Sequence, residues 1–223
     1  MAKGFLCKDN NTFDTTSNKG IIIMFGIVLQ YTSVGKPYIV IDNFLEDNDE
    51  KVIMSELDTI IRPSMRRDST GEAIKDDVNI KNANACFLTD IYAEPNASPT
   101  FRVMRNYFTR DFFENLARSH WAFEWLTRIN FTEFTQFLYY DEKDNYGAHP
   151  DQADLTSLLW LAKEPRGFSG GDLIIEDEKM VQFKHNRMVL FNLATMHEVT
   201  SVKKTLNLDG HGRYCISHFF KGE

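Results

Sequence analysis

His149, Pro150 and Asp151 place an imidazole and a carboxylate two positions apart. In an extended segment, side chains at i and i+2 share one face, so both can reach a single ion. His197 follows 46 residues after Asp151, at the start of a run that reads as a strand, and a returning strand would bring this second imidazole alongside. Two imidazoles and one carboxylate on one face of an octahedral ion leave three positions open, a donor set suited to iron(II) and oxygen chemistry. The same ligand types also suit zinc, but the chain lacks the helical His-Glu-x-x-His spacing that would supply a hydrolase with its general base. The chain has six histidines, and an isolated His-x-Asp arises by chance, so the pair alone decides little. Arg213, 16 residues after His197, adds weight because it interrupts the apolar run 213–217. A guanidinium aimed inward from a barrel strand needs a buried anion, which a carboxylate supplies through two parallel hydrogen bonds. Ser217 has the same strand parity and offers a hydroxyl. The competing reading places Arg213 on an outer face, at a rim.

Such side chains need a rigid support, and the second half of the chain carries the pattern for one. From about residue 131, short apolar runs recur at 131–140, 155–162, 172–176, 180–183, 188–193, 199–202 and 213–220, with Gly170-Gly171 and Asp209-Gly210 between them. Many short strands at this spacing predict a β-sandwich or barrel. The first half reads differently. Residues 38–41 form a β-branched strand closed by Asp42-Asn43, and Asp47 or Asn48 caps a helix carrying Val52, Ile53, Leu57, Ile60 and Ile61. A second long helix is predicted over 99–119, with Phe101, Met104, Phe108, Phe112 and Leu116 as a core stripe. The class is therefore α+β, a jelly-roll-like core with N-terminal helices packed against it.

Composition narrows the partners. A chain of 223 residues with 43% hydrophobic and 26% charged residues suits one well-buried core. A formal charge of -7 repels phosphate backbones, so nucleic acid is a poor default partner, although Arg62, Arg66, Arg67, Arg102, Arg105 and Arg110 could form a local basic face. Cys7, Cys86 and Cys215 are odd in number and scattered, which fits free thiols in a reducing, cytoplasmic setting. The apolar run 21–29 is too short to span a bilayer as a helix and reads as a buried strand; no membrane association is expected. Residues 1–20 read as a loose tail, and Met24 is an alternative start. Residues 63–97, polar at first and bordered by arginines, are a candidate lid or a plain surface connection.

Taken in order, these pieces resemble the 2-oxoglutarate/Fe(II)-dependent dioxygenase superfamily, and within it the prolyl 4-hydroxylase-like branch. Gln136-Phe137-Leu138-Tyr139-Tyr140 resembles the strand whose tyrosine approaches 2-oxoglutarate, and His149-Pro150-Asp151 the His-x-Asp that follows it. Phe168-Ser169-Gly170-Gly171-Asp172-Leu173 is similar to the family's F-x-G-G-x-L turn, His197 to its distal histidine, and Arg213 with Ser217 to its carboxylate anchor. Upstream, residues 36–45 are similar to the opening strand of that branch. The anchor is Arg where collagen-type prolyl 4-hydroxylases usually carry Lys, and residues 203–210 lengthen the distance from the distal histidine to the anchor.

The resemblance implies a double-stranded β-helix within a single oxygenase domain over 21–223, with helical support at 46–119 and the core at about 131–220. It implies Fe(II) on His149, Asp151 and His197, 2-oxoglutarate on Arg213 and Ser217, O2 as oxidant and ascorbate as a candidate accessory reductant. Tyr140 would hydrogen-bond 2-oxoglutarate, with Tyr139 as the alternative. Trp160 takes a position often held by a tyrosine lining the same pocket, or else is plain core. The implied reaction hydroxylates a C–H bond, most readily of a peptidyl proline, with release of succinate and CO2; a small molecule or a nucleobase is the alternative substrate. A jelly roll that binds or senses without turnover is the non-enzymatic alternative.

Overall fold

The computed structural model describes residues 26–60, 74–128 and 130–222. The expected tail, the start of the apolar run at 21–25 and the arginines at 62–67 lie outside them. In chain order the described elements begin with β1 (Ile27–Tyr31), β2 (Pro37–Asp42), α1 (Asp47–Ile60), β3 (Ile74–Lys75), β4 (Val78–Asn79), β5 (Lys81–Asn82) and β6 (Asn84–Phe87). Next come α2 (Pro99–Tyr107), α3 (Arg110–Ser119), β7 (Phe131–Tyr140), β8 (Asn145–His149), β9 (Leu155–Leu161), β10 (Phe168–Gly170) and β11 (Leu173–Ile175). The last are β12 (Lys179–Val181), β13 (Arg187–Asn192), β14 (His197–Val199), β15 (Val202–Lys204) and β16 (Arg213–Gly222). None of the helices among the described residues is long and apolar enough to cross a membrane.

A seven-stranded sheet in the order β1-β2-β13-β9-β16-β7-β6 faces a five-stranded sheet in the order β12-β11-β14-β8-β5, the expected jelly-roll arrangement. The central strands of the larger sheet are buried on both faces, and side-chain alternation sorts them into two cores. Ile39, Ile41, Leu159, Leu161, Tyr214 and Ile216 pack toward the helices. Their alternates Tyr38, Val40, Leu158, Trp160 and Cys215 point between the sheets. This double burial explains why β9 reads as an unbroken apolar run rather than an alternating one.

Several sequence expectations change. The long helix over 99–119 is two helices, because the Phe108 backbone leaves the helical region and Thr109 caps the second, its hydroxyl accepting from the Phe112 amide. Ser98 caps α2 in the same way. In α1, Ile53, Leu57 and Ile60 are buried as expected, but Val52 is exposed and the fourth inward position belongs to Glu56. The run 199–202 splits, with Val199 ending β14 in the smaller sheet and Val202 opening β15, which pairs with β10. Within 63–97, residues 81–87 are built into the barrel: β5 pairs with β8, and β6 with β7, so that part is held by strand pairing.

Candidate metal and carboxylate site

The two histidines meet because β14 runs antiparallel to β8, with His197 directly across from His149. Each Nδ1 donates to a backbone carbonyl two residues back, Gly147 O at 2.7 Å for His149 and Thr195 O at 3.0 Å for His197. That tautomer, assigned from the hydrogen bonds, leaves both Nε2 lone pairs available. They face Asp151, with His149 Nε2 3.6 Å from Oδ1 and His197 Nε2 3.5 Å from Oδ2. These distances are too long for hydrogen bonds and suit three donors arranged about one shared ion. Burial, followed by the charge of His197, holds the His149 imidazole below its ordinary range, so it is neutral and ready to ligate near pH 7.

Asp151 is positioned differently from the sequence expectation. β8 ends at His149, so Asp151 lies past the strand and the ladder does not orient it. Its orientation comes from Thr156 on β9, whose hydroxyl donates to Oδ2 at 2.7 Å. Tyr146 stacks on the His149 ring at 3.7 Å between centroids, and Phe191 packs on His197 at 4.6 Å.

Arg213 points inward from the first position of β16 and is fully buried. Its Nε donates to Gly171 O at 2.8 Å, while Cζ lies 4.9 Å from the Tyr140 ring centroid, 5.1 Å from that of Trp160 and 5.7 Å from that of Phe183. Both terminal guanidinium nitrogens are buried without a hydrogen-bond partner among the described residues. Leaving a buried charge unpaired costs several kcal/mol or more, so this group fits a bidentate anionic guest. The glycine pair of the F-x-G-G-x-L turn has a defined role here. Gly171 has φ +69°, and a Cβ on it would stand 2.6 Å from Arg213 Cδ.

One cavity joins the two groups, lined among others by Tyr140, His149, Asp151, His197, Arg213 and Ser217. Tyr140 rather than Tyr139 faces it: the Tyr139 hydroxyl accepts from the Gly212 amide at 3.0 Å on the helix side. Burial raises the Tyr140 phenol well above its usual range, so it stays a neutral donor. Trp160 does not line the cavity; it lies behind it, under the guanidinium. Thr156, Tyr146 and Phe183 carry no site signal in the sequence, and Cys215 reads there only as a free thiol. Their types are ordinary for strands and loops, and only the pairing of distant segments gives them their place.

Residues 135–221, well under half of the chain, match the model of the 2OG-Fe(II) oxygenase superfamily. No curated protein matches the chain in sequence. Among solved structures, the chain is similar to a prolyl hydroxylase from Trichoplax adhaerens in complex with a hypoxia inducible factor oxygen degradation domain peptide fragment. The TM-score is 0.56 at 14% identity over 83% of each chain. A viral collagen prolyl hydroxylase from Paramecium Bursaria Chlorella virus-1, in a 2OG complex, gives 0.54 at 16% identity over 82% of this chain and 94% of the other. A Pseudomonas putida prolyl-4-hydroxylase gives 0.51 at 13% identity over 83% and 92%. At such identities the likeness speaks for the fold.

Proposed function

We propose that this chain is a 2OG-Fe(II) dioxygenase that hydroxylates a C–H bond, first of all in a peptidyl proline; the match of residues 135–221 to that superfamily's model supports the reading. His149, Asp151 and His197 would hold Fe(II), and Arg213, with the hydroxyls of Ser217 and Tyr140, would hold the far carboxylate of 2-oxoglutarate. When bound, the metal, the keto acid and O2 supply the oxidising power, with succinate and CO2 as by-products. The chain's own residues supply orientation. The two backbone carbonyls fix the imidazole tautomers, Thr156 fixes the carboxylate, and the packed faces of Tyr140 and Trp160 keep water from the guanidinium. The prolyl hydroxylases of similar fold, one of them holding a peptide, support a peptide substrate. A reducing compartment such as the cytoplasm, with ascorbate as accessory reductant, suits a ligand set that needs its metal ferrous.

The observation that carries this reading is the pair of guanidinium nitrogens, without a partner among the described residues, sharing a cavity with an open His-Asp-His set. The test is to add Fe(II) and 2-oxoglutarate without oxygen and look for a weak visible charge-transfer band. We expect the band in the parent, its loss in His149→Ala and its weakening in Arg213→Ala. A folded, metal-loaded parent without the band would favour a non-catalytic jelly-roll binding module.

A further inference from the structure

A second cavity, of about 270 Å³, opens beside the first and shares Gln136, Tyr146, Asp151 and Phe219 with it. Its other walls are Phe87, Phe134, Gln152 and Ala153, with Lys81 and Lys221 as the cations among the described residues. Asp151 is the one acid in the lining among the described residues, and it is turned toward the two histidines. On a chain of net charge -7, the described lining of this cavity thus carries two lysines against one acid.

Strand β16 sets the order of groups along this path. Arg213, Cys215, Ser217, Phe219 and Lys221 alternate onto one face of the strand. The first four line the metal cavity and the last two the second. At roughly 3.3 Å per residue, Lys221 lies about 13 Å along the strand from Ser217. Phe219 stands directly across from Phe134 on β7, so an apolar step separates the metal set from the lysine. Lys221 is exposed and has no ion-pair partner among the described residues, whereas Lys81 is buried with its ammonium 5.6 Å from the Tyr146 ring centroid.

We propose that the substrate carries a carboxylate, bound by Lys221 at the mouth of this cavity, with an apolar segment lying against Phe134 and Phe219 and leading to the metal. The proposal rests on the oxygenase reading for its chemistry. The carboxylate has two available sources, an acidic side chain flanking the target residue of a peptide or the carboxylate of a free amino acid, and the ligand is recognised in the same way from either.

The test uses proline-centred synthetic peptides bearing Glu or Gln at each flanking position, and free amino acids beside their amides. Binding is measured by titration calorimetry without oxygen, and turnover as succinate formed. In the parent, the best acid member should bind at least about tenfold more tightly than its amide partner, a difference of ~1.4 kcal/mol. The ratio should fall to about one in Lys221→Gln and invert in Lys221→Glu. A response confined to peptides, or to free acids, identifies the source. Equal or absent response to acid and amide members overturns the proposal, as does a preference that survives Lys221→Gln. So does a Lys221→Gln variant whose only change is weaker 2-oxoglutarate binding, since the lysine would then merely steer the co-substrate. Loss of the charge-transfer band in the parent would instead refute the oxygenase reading, and the binding measurement would still report on the cavity by itself.

Discussion

Thr156 donates to the Asp151 oxygen that faces His197, so a single hydroxyl decides where the carboxylate points. Replacing it by valine keeps the shape and removes the donor. Thr156→Val should weaken metal binding by about 10- to 100-fold with the fold intact, measured by Co(II) titration with circular dichroism as the control. Unchanged affinity would mean that the backbone alone holds Asp151. The residues of this site differ in how far the sequence reveals them. His149, Asp151, His197 and Arg213 stand out because imidazole, carboxylate and guanidinium are costly to bury without a purpose. Thr156 has no such mark, since threonine is common in strands and its partner is fixed only once the loop after β8 folds back. The choice between Tyr139 and Tyr140 followed the same rule: adjacent strand residues face opposite cores, and register, which sequence does not print, decides which.

Helix α1 is tied to its neighbours by Glu56, a buried carboxylate on a face otherwise apolar. It accepts from the Thr100 amide at 2.7 Å, Ser98 Oγ at 3.1 Å and Tyr92 Oη at 2.5 Å. A negative charge at the first turn of α2 also complements the helix dipole. Glu56→Gln should cost ~1–3 kcal/mol in urea unfolding, because an amide cannot accept from every donor the carboxylate serves. The same hub gives a pH signature. Burial, then the Glu56 carboxylate, pushes the Tyr92 phenol up to about 12 from its ordinary 10.0. A raised folded-state value means that this contribution to stability is complete below pH 10 and is lost as pH rises toward 12. In Glu56→Gln that alkaline loss should shrink, which stability curves between pH 9 and 12 would show. Helix periodicity found α1 but placed Val52 inward where Glu56 lies, because a glutamate with three donors around it outcompetes a valine that solvent can tolerate. The break at Thr109 was missed for a related reason. An apolar stripe can continue through a cap, and only the backbone turn at Phe108 separates the two helices.

Across the whole molecule the site is a joint between two sheets of unequal strength. The recurring short runs announced the barrel. Which strands would pair was not legible, because β8 and β10 carry too few apolar residues to signal themselves and owe their form to the neighbours they bond. In the larger sheet, β16 pairs along all ten residues with β7 and along most of its length with β9. In the smaller sheet, β14 has three residues, and its register with β8 shifts between His197 and Val199. Backbone amides in a doubly flanked central strand open only with the whole fold, whereas a short strand beside an irregularity opens locally. Deuterium uptake should therefore be slowest along β16 and faster along β14 and the end of β8, with the two rates converging once metal is bound. The protein would then hold Arg213, the proposed keto-acid anchor, on its slowest-opening strand and the proposed metal ligands on a faster one, so a bound metal could exchange without the barrel unfolding.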